Sequence, residues 1–248
     1  MKQIFILESL REGDDKVGQE IHKVLEKENS GVSKYFDIDS KDDFFEKIQT
    51  IIENYAYEDL PCFLHLDCHG DELGIQLKND ECIDWEEFKC KFRDLYIATG
   101  RQLIVCMSAC KGYNIAKMVA YFEPCPYYAI CGSFNEIGFE ESKNGYLTFY
   151  KSLQSGKSIL EAVKDVNEKE KGMGFIAHRA EELFNIAIDS YLKKLTPEYL
   201  KAEKEKKIQY VKDVWGNDQN RIDYLDYIYT LQGQQMLLQR KYKSIFFS

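Results

Sequence analysis

Phe63-Leu64-His65-Leu66-Asp67-Cys68-His69-Gly70 and Leu103-Ile104-Val105-Cys106-Met107-Ser108-Ala109-Cys110-Lys111-Gly112 decide how this chain folds. Each is an apolar run of strand length that ends in a chemically able residue, with glycine following at once or one residue on. Working outward, residues 3–8 read as a first strand. Val17, Ile21, Val24 and Leu25 recur at helical spacing over 15–28, with Asn29-Ser30-Gly31 as the stop. Ser33 to Ile38 reads as a second strand, and Ser40 or Asp42 caps a helix carrying Phe44, Phe45, Ile48, Ile51 and Ile52. Pro61 precedes the third strand, 62–68. Strands alternating with helices in this way build βαβ units, so the expected class is α/β, a three-layer α/β/α sandwich around a mostly parallel sheet.

Past His69-Gly70, Leu73 to Leu77 and Cys82-Ile83 flank the polar turn Lys78-Asn79-Asp80-Glu81, the pattern of a small β-hairpin. Asp84 with Glu87 three residues on is a capping-box start for a helix over 85–97, ended by Thr99-Gly100. A fourth strand (102–109), a helix over 113–122, the linker Glu123-Pro124-Cys125-Pro126 and a fifth strand (Tyr127 to Gly132) follow. Ser142 is expected to open a helix over 143–154, and Ser158 to cap another reaching about residue 169. From about Ala180 the pattern is helical throughout, punctuated by Pro197 and Gly216-Asn217 into three helices. The expected division is an α/β domain, 1–179, and a helical C-terminal extension, 180–248.

With 248 residues, 44% of them hydrophobic, the chain suits one large domain, or one domain plus an appendage. A net charge of -9 argues against nucleic-acid binding driven by bulk charge. No run approaches the roughly 20 apolar residues of a membrane helix, and the N-terminus lacks the apolar core and cleavage site of a signal peptide. The expectation is therefore a cytoplasmic protein with no membrane contact, its eight cysteines mostly thiols. Several of these, Cys62, Cys106 and Cys131 among them, sit inside apolar runs as small buried hydrophobes.

Sites in open α/β sheets form at the carboxyl ends of the strands. His69 and Cys110 both fall there, on strands expected to be neighbours about 4.8 Å apart. Cys110, beside Lys111 and ahead of a helix N-terminus, is placed to act as a thiolate nucleophile, with His69 as its acid and base. The N–H groups of Gly70 and Cys110 are the natural oxyanion donors. Asp67 and Asp71 flank the histidine, and either could orient it. A zinc site over Cys62, His65, Cys68 and His69 is excluded by reach: Cys62 and Cys68 are about 20 Å apart at roughly 3.3 Å per residue, and residues of opposite parity face opposite sides. No metal and no cofactor is expected. His65, in mid-strand, reads as a satisfied core histidine and His178 as a surface or packing residue. The tyrosine- and tryptophan-bearing tail reads as packing surface or as a partner-docking module.

Cys68-His69-Gly70 and Ser108-Ala109-Cys110-Lys111-Gly112 resemble the His-Gly and Cys blocks of caspase-like (clan CD) cysteine peptidases, closest to the CHAT branch. The hairpin Gly74-Ile75-Gln76-Leu77 and the segment from Tyr146 through Gly156-Lys157-Ser158-Ile159 to Ala162 extend the resemblance over about residues 1–170. It implies a caspase-like sandwich and a cysteine endopeptidase that hydrolyses peptide bonds of a protein substrate through Cys110 and His69. A regulated bacterial protease of stress or phage defence, with an activating protein partner, is the context it implies. Departures from the family pattern are informative. The short interval between strands four and five leaves no cleavable linker, and Ser108 replaces the family's glutamine or aspartate two before the nucleophile. Arg11 would suit an acidic substrate residue and Glu136 a basic one, with Ser108 and Ser133 as further candidate substrate contacts, so specificity stays open. The alternative is a catalytically inactive scaffold binding a partner through its helical tail. A nucleotide-binding protein is disfavoured because no phosphate-loop motif follows a strand.

Overall fold

The computed structural model describes residues 3–55, 61–120 and 122–247. Contacts divide the chain into two compact units, Met1–Met118 with Pro126–Ala180, and Val119–Cys125 with Glu181–Ser248. The first contains β1 (Gln3–Ser9), α1 (Val17–Glu28), β2 (Ser33–Asp37), α2 (Lys41–Asn54), β3 (Cys62–Gly70), β4 (Gly74–Gln76), β5 (Cys82–Asp84), α3 (Trp85–Ala98), β6 (Leu103–Met107), a 3-10 helix (Gly112–Met118), β7 (Ala129–Ser133), α4 (Phe139–Gln154), α5 (Ile159–Lys169) and β8 (Phe175–Arg179).

The main sheet runs β2-β1-β3-β6-β7-β8, parallel except for β8, which pairs antiparallel with β7. The β4–β5 hairpin adds to the carboxyl end of β3 through Gly70 opposite Ile75. The molecule is thus the expected α/β sandwich with a mostly parallel sheet. Strand parity sorts the two core layers. Ile4, Ile6, Phe63, Ile104, Cys106, Ala129, Cys131, Phe175 and Ala177 pack with the buried faces of α1, α4 and α5. Phe5, Leu7, Leu64, Leu66, Val105 and Met107 are buried on the other side, where α2 and α3 contribute Phe44, Ile48, Phe88, Phe92 and Leu95. Each such side chain, fully removed from water, stabilises the fold by about 1.5–3 kcal/mol before entropy is counted.

Several helix starts follow their local caps. The Ser40 hydroxyl accepts from Asp43 N–H, the Asp84–Glu87 capping box is closed in both directions, and Ser158–Glu161 repeats it at α5. Two local expectations are corrected. The helix expected over 113–122 is a 3-10 turn ending at Met118, with position 121 outside the described residues. Asn114 explains it: its N–H and its side-chain amide both donate to Lys111 O, which diverts the local hydrogen bonding from the α-helical pattern. Ser142 does not open α4; the helix begins at Phe139 and Glu141 receives the Gly138 N–H, leaving Ser142 buried inside the first turn.

The second unit holds α6 (Ala180–Leu192), α7 (Pro197–Trp215), α8 (Gln219–Ile228) and α9 (Leu231–Phe246), four helices among the described residues where the punctuation suggested three. Thr230 supplies the extra boundary, capping α9 through Gly233 N–H. Residues 119–125 join this unit, with Cys125 N–H donating to Phe246 O (2.9 Å). No helix among the described residues is long and apolar enough to cross a membrane.

Candidate active site

His69 is the penultimate residue of β3, and Cys110 lies three residues beyond β6. Leu66 pairs with Met107 in the β3–β6 register, and only a strand continued three steps further would set Cys110 level with His69. The ladder does continue for one step, because Ser108 N–H donates to Leu66 O (2.8 Å). The chain then turns: Gly112 N–H donates to Ala109 O (2.9 Å), Lys111 N–H to Asn135 O (3.4 Å), and Lys111 takes φ 55°. A non-glycine residue held in that left-handed region costs on the order of 1–3 kcal/mol, the kind of strain found at functional turns. The field expected from an α-helix N-terminus after Cys110 is not there, since a short 3-10 turn aligns few peptide dipoles.

Gly70 is where the two tips meet. A Cβ on it would stand 3.0 Å from Ala109 Cβ and 3.2 Å from Cys110 O, so any side chain would push the Cys110 turn away. Asp71 N–H donates to Gly74 O, which makes that pair hydrogen-bonded. Pairs alternate in an antiparallel ladder, so Gly70 opposite Ile75 is not hydrogen-bonded and its N–H points away from β4, to the β6 side. The Cys110 N–H has no acceptor among the described residues. Neither the Gly70 nor the Cys110 N–H is thus committed to a backbone acceptor among the described residues.

The His69 side chain is 43% exposed, and its Nε2 is 2.9 Å from Asp14 Oδ2. The same oxygen accepts the Arg11 N–H (2.9 Å). These two hydrogen bonds, His69's first, hold the Asp14 carboxyl below its usual range. Neither carboxylate expected to orient the histidine does so. Asp71 Oδ1 accepts Leu73 and Gly74 N–H and shapes the turn. Asp67 is buried, bound by Gly18 N–H (2.6 Å) and hydrogen-bonded to its register partner Glu8, and burial pushes its carboxyl well up. Asp14 was legible only as part of a polar loop, although β1 lies beside β3 and so carries that loop to the same sheet edge.

On the hairpin side of His69 lies a cleft of about 430 Å³, lined by His69-Gly70-Asp71, Leu73 to Gln76 and Cys82 to Asp84. Cys110 lies outside this lining, across Gly70 from it. No hydrogen bond joins the Cys110 thiol to His69. All eight cysteines are free thiols.

The candidate substrate contacts separate. Arg11 pairs with Asp80 of the hairpin turn and so already has a carboxylate partner. Ser108 and Ser133 are corrected to interior roles. Ser108 Oγ is 2.7 Å from Ser142 Oγ, and Ser133 Oγ donates to Met173 O (2.6 Å); both residues are buried because their side chains follow the core-facing parity of their strands. Glu136 is exposed in the loop after β7, one residue from the Asn135 carbonyl that receives Lys111 N–H. His178 packs on Tyr113, and the two are joined by a short hydrogen bond. Among the described residues, no group of three or more His, Cys, Asp or Glu is arranged to hold a metal ion. No known protein-family model matches the chain, and no characterised protein matches it at a significant level.

Proposed function

We propose that the chain is a cysteine endopeptidase of the caspase-like, CHAT type, acting on a protein substrate in the cytoplasm. The observation that carries this reading is the meeting of the β3 and β6 tips at Gly70, which packs against Ala109 and the Cys110 carbonyl and so brings the turn that carries Cys110 beside the residue that follows His69. In the reaction, Cys110 Sγ attacks the scissile carbonyl carbon as His69 takes the thiol proton. Gly70 and Cys110 N–H stabilise the oxyanion. Collapse of the tetrahedral adduct breaks the C–N bond, His69 protonates the departing amine, and a thioester remains. Water then adds to the thioester with His69 as base, and the acid product and the Cys110 thiol are regenerated. The hairpin cleft offers a pocket for a substrate side chain. The resemblance to CHAT peptidases supports regulation by a protein partner and a setting in bacterial stress or phage defence.

The absent Cys110–His69 hydrogen bond favours a second reading, a scaffold that retains the fold without the chemistry. The two are separated by labelling with a peptide-like electrophile in the presence of the native partner and by cleavage of a peptide library. Cys110→Ala and His69→Ala are expected to lower cleavage by at least about 10³-fold while melting like wild type. If wild type labels at Cys110 no faster than at the exposed thiols of Cys82 and Cys90 and cleaves nothing, the scaffold reading stands.

A further inference from the structure

We propose that Asp14 is the positioning carboxylate of His69, a third member of the site that fixes which ring nitrogen serves Cys110. The proposal rests on the peptidase reading given above. A carboxylate only accepts, so a hydrogen bond of 2.9 Å between His69 Nε2 and Asp14 Oδ2 places a proton on Nε2. In the neutral ring this leaves Nδ1 with the free lone pair, the nitrogen that takes the thiol proton. When the ring is protonated, the same carboxylate faces the positive charge directly.

Asp14 is itself held in place. Its Oδ2 receives Arg11 N–H, its own N–H donates to Arg11 O (3.1 Å), and the Arg11 guanidinium is anchored to Asp80 in the hairpin turn. The loop after β1 is thereby tied to the hairpin that walls the cleft, so the carboxylate and the pocket keep a common frame. The two aspartates that flank His69 in sequence are committed elsewhere, Asp71 to its turn and Asp67 to Glu8 and Gly18. A purely structural Asp14 would close its loop and contribute a surface ion pair, and its loss would leave the chemistry of Cys110 unchanged.

The test is the rate at which iodoacetamide alkylates Cys110, read at that residue by mass spectrometry across the acid-to-alkaline range. The full-length proteins compared are wild type, His69→Ala, Asp14→Ala, Asp14→Asn, Asp14→Glu and, as a control on the exposed face of α3, Asp94→Asn. Wild type is expected to keep reactivity on the acid side that His69→Ala loses. Asp14→Ala and the nearly isosteric Asp14→Asn should follow His69→Ala, slowing by about tenfold or more at neutral pH. Asp14→Glu should recover part of the rate and Asp94→Asn should match wild type, with all melting curves alike. If Asp14→Ala and Asp14→Asn both keep the wild-type profile while His69→Ala loses it, Asp14 has no positioning role and the peptidase reading survives. If His69→Ala itself matches wild type, the Cys110/His69 pairing fails and the Asp14 assignment falls with it.

Discussion

His65 lies four residues before His69 on the same face of β3, in surroundings that reverse its chemistry. It is fully buried, with Nδ1 2.8 Å from the Tyr150 hydroxyl, and Nε2 has no partner among the described residues. The core histidine expected from its mid-strand position is therefore only half satisfied. Burial pushes its imidazole down from the usual 6.5 to about 3. The unfolded chain takes up this proton first as pH falls, so stability contributed by neutral His65 is lost between pH 6.5 and about 3. The full loss is about 4–5 kcal/mol at 1.36 kcal/mol per pH unit. Asp67 has the opposite sign. Its carboxyl is raised, so the folded state holds the extra proton and stability falls as pH rises from about 4 through the raised value. Urea midpoints against pH should show His65→Asn with a flattened acid limb, and Asp67→Asn gaining on wild type as pH rises. Unchanged slopes in both variants would contradict the burial argument.

At the scale of elements, α1 is entered without a conventional cap. Lys16 offers no side-chain acceptor, and the first N–H groups go instead to the strands beneath: Gly18 to Asp67 and Gln19 to Glu8 (3.1 Å). Carboxyl oxygens thus take the place of a cap, and they come from the neighbouring strands β1 and β3. The approach is close enough to require glycine. A Cβ at Gly18 would lie 2.9 Å from Ile6 Cγ2 and 3.0 Å from Glu8 Oε2. Alanine would gain about 1 kcal/mol in helix propensity but overpack a buried contact at about 1–3 kcal/mol. Gly18→Ala is therefore expected to destabilise, seen as a lower melting temperature; a higher one would show that the strands yield. The hairpin is held differently, by charges on its turn. Arg11–Asp80, Lys78–Asp37 and Lys78–Asp39 are surface pairs whose attraction solvent screens, so they set the hairpin's position more than the stability of the fold.

At the scale of the whole molecule, the helical unit is built around a small aromatic core of its own. Phe246 is fully buried, with ring centroids 4.9 Å from Phe184 and 5.0 Å from Phe247. Its carbonyl receives the Cys125 N–H, which ties residues 119–125 to the last helix. Phe246→Ala should cost about 3–5 kcal/mol, with hydrogen exchange accelerating at Cys125 and along α9. Exchange unchanged at Cys125 would mean that 119–125 is held by other contacts. Tyr199, Tyr210, Trp215 and Tyr224 remain about half exposed, so the aromatic richness of the tail is only partly packing.

The α/β alternation, the hairpin after Gly70 and the caps at Ser40, Asp84 and Ser158 were determined by the sequence alone, because each depends on residues within one turn or one strand of each other. The placement of His69 and Cys110 at strand tips followed from the same short-range pattern. Tertiary structure alone decided what those tips meet. Asp14 reaches His69 because β1 lies between β2 and β3, a neighbour relation no local pattern states. Ser108, Ser133 and Asp67 turn inward because sheet register assigns their faces to the core. The turn that carries Cys110 tightens to a 3-10 helix through Asn114 and Lys111, where local side-chain bonding overrides helical spacing.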